Sequence, residues 1–225
     1  MKKIIIISIL LAFAGMMLAA NAVAMLSATK GKVDLSRDAR TLKFKNGELL
    51  RNDDELRTGG ESFAAYKYID GSSTIKVFSN SMVKIAATKS GKTLSKKVTV
   101  NKGSVLTSVK PKTGSLVVQT PTTVASVKGT QFLTKITDTD QSMFIVTEGE
   151  VELKILDQPE AKAVPKGKTA IVEEDGTYEI RNSTRDDLSA VEQAEMDSDG
   201  ATETKTMLVP VIDASGRTKY IEISY

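Results

Sequence analysis

Apolar and charged side chains alternate without a break in Val151-Glu152-Leu153-Lys154-Ile155. A period of two places the three apolar side chains on one face, as in a strand that covers a core. Similar pairs occur earlier in the chain, separated by turn residues: Ile75 and Val77, Val83 and Ile85, Val98 and Val100, Leu116 and Val118. Many short strands at this spacing predict an all-β protein, a sandwich, barrel or solenoid, rather than alternating strands and helices.

The C-terminal part of the sequence departs from this pattern. Ser183 or Thr184 can cap a helix that has Asp186 and Asp187 in its first turn, an apolar stripe of Leu188 and Val191, and an end at Gly200. Two apolar runs follow, residues 207–212 and 219–223, and predict a β-hairpin. We therefore expect a β domain at residues 25–180, a helix with an acidic linker at 181–204, and a hairpin at 205–225.

The N-terminus has the features of a secretory signal. Lys2 and Lys3 precede an apolar run from Ile4 to Leu18, and Ala22-Val23-Ala24 supplies small residues at positions −3 and −1 of a cleavage site. This pattern predicts a signal peptide at residues 1–24 and a mature chain beginning at Met25. We expect the protein to be exported to the periplasm or the cell exterior, with no integral membrane segment after cleavage.

The composition excludes most catalytic and metal chemistry. The 225 residues include no His, no Cys and no Trp. Nucleophilic arrangements that depend on His are therefore absent, as are ordinary zinc, haem and iron–sulfur ligand sets. We expect no cofactor, and any enzymatic reading must use carboxylates, Lys, Ser, Thr or Tyr.

The charges are distributed unevenly. Residues 71–137 contain 11 Lys and no Asp or Glu, whereas residues 138–225 contain 9 basic and 20 acidic side chains. The two zones could cancel within the fold, the basic zone could bind an acidic envelope polymer, or copies of the chain could self-associate. The candidate binding residues are Lys84, Lys89, Lys92, Lys96, Lys97, Lys102, Lys110 and Lys112. Nucleic acid is a poor ligand, because the zone offers only Phe78 and Phe132 for stacking.

Two groups of carboxylates were weighed as sites. Glu148, Glu150 and Glu152 could share one face of a strand, but a solvated strand face explains them more simply. Asp197 and Asp199 give a weak calcium candidate after the predicted helix, because the following positions depart from a calcium loop. We therefore expect no catalytic residues and no metal site.

Several segments resemble the FecR domain, in order and at similar spacings over roughly residues 28–176. They are Gly47 to Gly59, Asp70-Gly71-Ser72, Val146 to Val151 and, most specifically, Thr120-Pro121-Thr122-Thr123-Val124-Ala125-Ser126-Val127-Lys128-Gly129-Thr130-Gln131-Phe132. The signature residues are Thr120, Pro121, Lys128, Gly129, Thr130 and Phe132, and we interpret them as mainly structural. Lys128 departs from the Arg usual in the family, and a lysine cannot reproduce the bidentate contacts of an arginine.

The resemblance implies a FecR-like two-sheet sandwich or short β-solenoid, with the helix and hairpin appended. It further implies a free-standing, exported FecR-domain protein. Our leading functional prediction is a non-enzymatic binding or scaffold module of the bacterial cell envelope, with an envelope protein or an acidic envelope polymer as its partner. Two alternatives stay open: a carboxylate-based carbohydrate-active enzyme, and a periplasmic sensor component of a FecR-type signalling system.

Overall fold

A computed structural model describes residues 22–90, 93–111, 115–156, 158–199, 206–212 and 218–224. Its strands are β1 Ala22–Lys30, β2 Val33–Arg37, β3 Arg40–Leu42, β4 Leu49–Arg51, β5 Glu55–Thr58, β6 Phe63–Tyr68, β7 Ser73–Val77, β8 Met82–Ser90, β9 Thr93–Val109, β10 Leu116–Gln119, β11 Thr123–Val127, β12 Gln131–Ile136, β13 Ser142–Glu148, β14 Glu150–Ile155, β15 Ala161–Pro165, β16 Lys168–Val172, β17 Tyr178–Asn182, β18 Thr206–Ile212 and β19 Thr218–Ser224. One helix, α1, spans Arg185–Asp199. The predicted all-β class with one short helix is confirmed.

The first 17 strands form two layers that share β9. Layer A has the order β4-β1-β6-β7-β9-β12-β13-β16-β17. Layer B has the order β3-β2-β5-β8-β9-β10-β11-β14-β15. All neighbouring strands are antiparallel except β9 and β10, which are parallel.

Strand β9 changes layer at Gly103. Lys102 is the last β9 residue paired with β8 in layer B, and Gly103 is the first paired with β12 in layer A. Gly103 has φ +88°, and a Cβ there would lie 2.1 Å from Ser81 Oγ. A glycine is needed at this bend because a side chain would clash and strain the backbone.

The core lies between the two layers and follows the alternation of the sequence. Val151, Leu153 and Ile155 point into it from layer B, as predicted. Layer A contributes the largest buried side chains, Tyr66, Tyr68, Phe132 and Phe144. The alternating residues are therefore core residues rather than a ligand-binding stripe.

Helix α1 packs on the outer face of layer A. Val191 and Ala194 join a second apolar cluster with Leu133 and Ile145. The prediction that Leu188 belongs to the packing stripe is wrong, because this residue is 40% exposed. The contact face is set by Val191 and Ala194, which are three residues apart, and Leu188 lies outside this narrow stripe.

The start of the helix is capped as the sequence predicted. The Asp187 backbone N–H donates to Thr184 Oγ1 at 3.2 Å, and the Thr184 N–H donates to Asp187 Oδ2 at 2.8 Å. These reciprocal bonds satisfy two backbone donors, one of them an orphan donor of the first turn. Farther along, Glu195 accepts from Gln131 Nε2 at 2.6 Å, and Ser198 Oγ accepts from Lys76 Nζ at 2.6 Å.

Two predictions concern the ends of the chain. Strands β18 and β19 pair only with each other, antiparallel, as the predicted hairpin requires. At the other end, the predicted signal sequence lies mostly in residues 1–21, outside the described residues, but β1 already begins at Ala22. The predicted mature start at Met25 therefore falls inside a strand. Within the described residues, no helix is both long and apolar enough to cross a bilayer.

Candidate partner-binding surface

The first half of the FecR-like signature forms a buried hydroxyl network at the turn between β10 and β11. Thr120 Oγ1 lies 2.8 Å from Thr123 Oγ1 and accepts the Thr123 backbone N–H at 3.1 Å. Ser142 Oγ, from β13 in the other layer, donates to Thr120 Oγ1 at 2.9 Å and accepts from Thr122 Oγ1 at 2.9 Å. The four side chains are buried. This network joins the two layers, because each hydroxyl satisfies another in a place that water cannot reach.

The second half of the signature carries the chain from layer B to layer A. Gly129 has φ +66°, and a Cβ there would lie 3.0 Å from Pro111 Cα. Thr130 Oγ1 donates to the Glu150 carbonyl at 3.0 Å. Phe132 then enters the core beside Phe144, with ring centroids 6.4 Å apart. Glycine and threonine therefore serve a tight crossing between layers.

Two signature residues lie on the surface. Lys128 and Pro121 are exposed, beyond the last residue of β11 and within the β10–β11 turn respectively. Since the buried members of the signature form the turn, the crossing and the core, the signature as a whole describes structure. Lys128 is the member whose side chain is free to meet a partner from solvent.

A buried ion pair fixes the turn before β5, and the sequence reading did not identify it. Arg37 Nε and Nη2 donate to Asp54 Oδ1 and Oδ2, each at 2.8 Å, and the Arg51 backbone N–H donates to Asp54 Oδ2 at 2.8 Å. The Asp54 side chain is fully buried. Its hydrogen bonds raise the pKa of Arg37 above the ordinary value. A bidentate pair of this kind holds β2 against the turn.

The prediction of Lys96 as a binding residue is wrong, because this lysine is buried at 2% exposure and cannot meet a ligand. Its Nζ donates to Asp70 Oδ2 at 2.7 Å and to Ser72 Oγ at 2.6 Å. The physical reason is strand alternation: Val98 and Val100 on the same strand face the core, and Lys96 lies on their face. Partial burial acts to raise the pKa of Asp70, but the hydrogen bonds from Lys96 and Ser72 outweigh it and lower that pKa.

The remaining candidate lysines are dispersed. Lys84 pairs with Asp53 at 2.8 Å, and Lys102 pairs with Asp138 at 3.0 Å. Lys89 and Lys110 are exposed at strand ends, and the Lys110 backbone N–H donates to the Ser72 carbonyl at 2.8 Å. Lys92 and Lys112 lie outside the described residues. The candidate lysines that the structure describes therefore do not form one continuous face.

Layer B nevertheless brings two of these lysines together with residues that are distant in sequence. Its outer surface contains two adjacent rows of side chains, which we call the two-row face. Pairing across β8, β9, β10, β11, β14 and β15 gives one row of Ala86, Lys97, Val117, Ser126, Glu152 and Ala163, and a second of Lys84, Thr99, Gln119, Val124, Lys154 and Ala161. With strands about 4.8 Å apart, each row extends about 24 Å.

The two-row face has the anatomy of a protein interface. Val117 and Val124 are half-buried and lie diagonally across β10 and β11 near its middle, where Val117 pairs with Ser126 and Val124 with Gln119. Lys97 and Lys154 are exposed beside these valines, and among the described residues neither forms an ion pair. Because Lys84 pairs with Asp53, the positive charge of the face comes from Lys97 and Lys154 against Glu152. An apolar centre with a charged rim is typical of surfaces that bind proteins.

The expectation that Glu148, Glu150 and Glu152 share one strand face is wrong for Glu148. Glu148 ends β13 in layer A, whereas Glu150 and Glu152 belong to β14 in layer B. The change occurs at Gly149, which has φ +72° and would place a Cβ 2.5 Å from the Gly129 carbonyl oxygen. Glu148 therefore does not share a face with Glu150 and Glu152, and these two lie side by side on the exposed face of one strand rather than on the two sides of a cleft, as a glycosidase would need.

The other acidic candidates lie in two places, a depression beside Lys84 and the last turn of α1. A shallow depression of about 740 Å³ beside Lys84 is lined by Asp34, Asp38, Asp53 and Glu55, of which Asp53 and Glu55 pair with Lys84 and Arg57. Asp197 lies within α1 and accepts from Gln193 at 2.7 Å, and Asp199 is the last helical residue. Both positions therefore belong to the helix rather than to a loop that follows it. Among the described residues, no acidic cluster has the arrangement of a metal site.

Comparison with known proteins agrees with the resemblance drawn from the sequence. Residues 54–152, which include the signature, both layers and most of the two-row face, match the family model described as FecR protein. This part of the chain is thus similar to the FecR domain. No curated protein matches the chain.

Two solved structures share the fold of this chain. Both are candidate anti-sigma factors from Parabacteroides distasonis. One is 16% identical with a TM-score of 0.52, and covers 62% of this chain and 64% of its own. The other is 15% identical with a TM-score of 0.51, and covers 76% of this chain and 84% of its own. The chain thus spans less than two thirds of the first structure, and at these identities the likeness concerns the fold alone.

Proposed function

We propose that this chain is a FecR-type signalling component, and that its FecR domain binds a partner protein through the two-row face. The FecR match at residues 54–152 supports the signalling class. It favours the sensor alternative over the general scaffold that the sequence first suggested. The absence of facing carboxylates in the described residues makes the carbohydrate-active alternative the weaker reading.

The arrangement of Val117 and Val124 between Lys97 and Lys154 carries the binding part of the proposal. The two valines offer apolar surface that a partner can cover, and the lysines favour an acidic rim on that partner. Reversal of these two lysine charges slows association and makes the contact with an acidic rim repulsive. The double variant Lys97→Glu/Lys154→Glu therefore removes the attraction and leaves the core of the domain untouched.

The test compares transcription in the native bacterium among four strains: wild type, a deletion, the double variant, and the control Lys135→Glu. Lys135 is exposed on the outer face of layer A, away from the two-row face. We expect the deletion to change a defined set of transcripts, the double variant to reproduce that change, and the control to resemble wild type at equal protein levels. A deletion without transcriptional effect would refute signalling, and a silent double variant would refute the face.

An acidic polymer is a second candidate ligand, favoured by the unpaired ammonium groups of Lys97 and Lys154. Such binding is electrostatic, so it weakens as the Debye length falls from about 10 Å at 0.1 M salt to about 3 Å at 1 M. Retention on lipopolysaccharide or heparin resin should be lost at moderate salt and reduced by Lys97→Glu/Lys154→Glu. Reversal at Lys162 and Lys166, which lie near acidic residues, should matter less.

A further inference from the structure

The first residues of β1 belong to the core of the domain. Val23 and Ala24 are 8% and 0% exposed. Ala24 pairs with Leu50 of β4 on one side and with Tyr68 of β6 on the other. The Val23 carbonyl accepts the Ile69 backbone N–H at 3.0 Å. These residues therefore complete layer A and are more than a remnant of the export signal.

A mature chain beginning at Met25 would lose these contacts. Ile69 would lose its backbone acceptor, and Leu50 and Tyr68 would lose the residue that pairs with both of them. The new α-ammonium group would also lie between two strands, because Met25 pairs with Leu49 and with Lys67. A terminus placed at Val23 keeps the contacts of Val23 and Ala24 and puts the charge near the end of the strand.

The sequence offers a second cleavage site that suits this requirement. Ala20-Asn21-Ala22 also has small residues at positions −3 and −1, two residues before the site at Ala22-Val23-Ala24. We propose that signal peptidase cuts between Ala22 and Val23. Water hydrolyses this peptide bond: its hydroxyl goes to the Ala22 carbonyl carbon and its proton to the Val23 nitrogen, which becomes the new α-amino group.

The proposal concerns export and does not depend on the signalling role. Its test is the intact mass of the protein exported by a Gram-negative host that carries the full chain. The two starts differ by the mass of one Val and one Ala residue. We expect a start at Val23 in the wild type, and a start at Met25 or an unprocessed chain would overturn the proposal.

Two variants separate the sites by their small-residue requirements. Ala20→Tyr blocks position −3 of the proposed site only, and Ala24→Val blocks position −1 of the downstream site only. We expect Ala20→Tyr to abolish the Val23 start and Ala24→Val to leave it in place. Ala20 precedes both proposed starts and is absent from either mature chain, so its variant tests processing without changing the folded product. Loss of the Val23 start in Ala24→Val but not in Ala20→Tyr would contradict the assignment.

A stability measurement tests the structural reason. Purified chains that begin at Val23 and at Met25 are unfolded in urea and followed by tyrosine fluorescence. We expect the Met25 chain to unfold at a lower urea concentration, because it lacks two buried residues of β1. Equal midpoints would show that these residues are dispensable and would overturn the argument for the upstream site.

Discussion

Removing Asp70 and removing Lys96 should change the free energy of unfolding by very different amounts, although the two side chains form one ion pair. The side chain of Lys96 is fully buried, whereas that of Asp70 is 29% exposed. At the 2.7 Å separation of Nζ and Oδ2, Coulomb attraction amounts to about 6 kcal/mol at an effective dielectric constant of about 20. Desolvation of a buried ion costs several kcal/mol, so attraction and desolvation nearly cancel.

The substitution Asp70→Ala removes the attraction but leaves the ammonium group buried, so we expect the free energy of unfolding to fall by about 3 kcal/mol. Lys96→Met removes the buried charge as well and keeps the apolar stem, so we expect a change within about 1 kcal/mol. Ser72 Oγ keeps a partner in Lys96→Met, because it also donates to Asp70 Oδ1 at 2.7 Å.

Urea unfolding of both variants, the double variant and the exposed neighbour control Lys97→Met measures these values. In the double variant neither charge remains, so Lys96→Met should largely rescue Asp70→Ala. A loss in Lys96→Met as large as that in Asp70→Ala would mean that the ion pair itself stabilises the fold, and would refute this reasoning. The pKa of Asp70 is lowered in the folded state, so the stability from this carboxylate is present above its ordinary pKa of 3.8 and is lost as the pH falls through the folded value.

Three further predictions concern the fixed points of the fold. Asp54→Asn should lower the free energy of unfolding by about 3 kcal/mol because Arg37 loses a buried carboxylate, whereas the exposed neighbour Asp53→Asn should have little effect; equal effects in urea unfolding would contradict the role of the pair. Gly129→Ala should lower the melting temperature more than Gly167→Ala, since both glycines have positive φ but only Gly129 has Pro111 within contact of a Cβ; the reverse order would show that the crossing tolerates a side chain. Burial acts to raise the pKa of Asp187, but bonds from Arg181, Thr184 and Thr169 outweigh it and lower the pKa to about 2. Stability on the order of 2 kcal/mol should then be present above pH 4 and be lost toward pH 2. Asp187→Asn should flatten that part of a pH titration of the unfolding free energy, whereas the exposed control Asp186→Asn should leave it unchanged.

The strands could be predicted from the sequence because alternation is a local property. Val151, Leu153 and Ile155 required only their own spacing to be assigned to a core. The helix cap was similarly local, since Thr184 and Asp187 are three residues apart. The same rule would have placed Lys96 correctly. Lys96 is two and four residues from Val98 and Val100, so strand alternation places it on the core face, although lysine usually prefers solvent.

Long-range pairing limits what the sequence reveals about the candidate surface. Val117 and Val124 become neighbours through a short turn, but Lys97 reaches them only because β9 and β10 are parallel, and Lys154 only because β11 pairs with β14. No local pattern encodes either contact. Gly149 is an instructive intermediate case, because Glu148-Gly149-Glu150 contains the residue that separates the two layers, yet the charge pattern alone suggested one continuous strand.

The distribution of ion pairs bears on why the chain keeps a lysine zone without acids. In the described residues, Lys84 and Lys96 of that zone pair with Asp53 and Asp70, which precede it in sequence, whereas Lys102 pairs with Asp138 at the edge of the acidic zone. Mutual cancellation of the two large zones therefore accounts for the Lys102–Asp138 pair but not for the pairs of Lys84 and Lys96. Because β9 changes layer at Gly103, the part of the zone before this residue and the part after it belong to different layers. Among the lysines of the zone that the structure describes, Lys84 and Lys97 join Lys154 on the two-row face. The excess positive charge is thus concentrated beside two half-buried valines. A partner with an acidic rim would satisfy this charge, and the comparison of Lys97→Glu/Lys154→Glu with Lys135→Glu measures this effect.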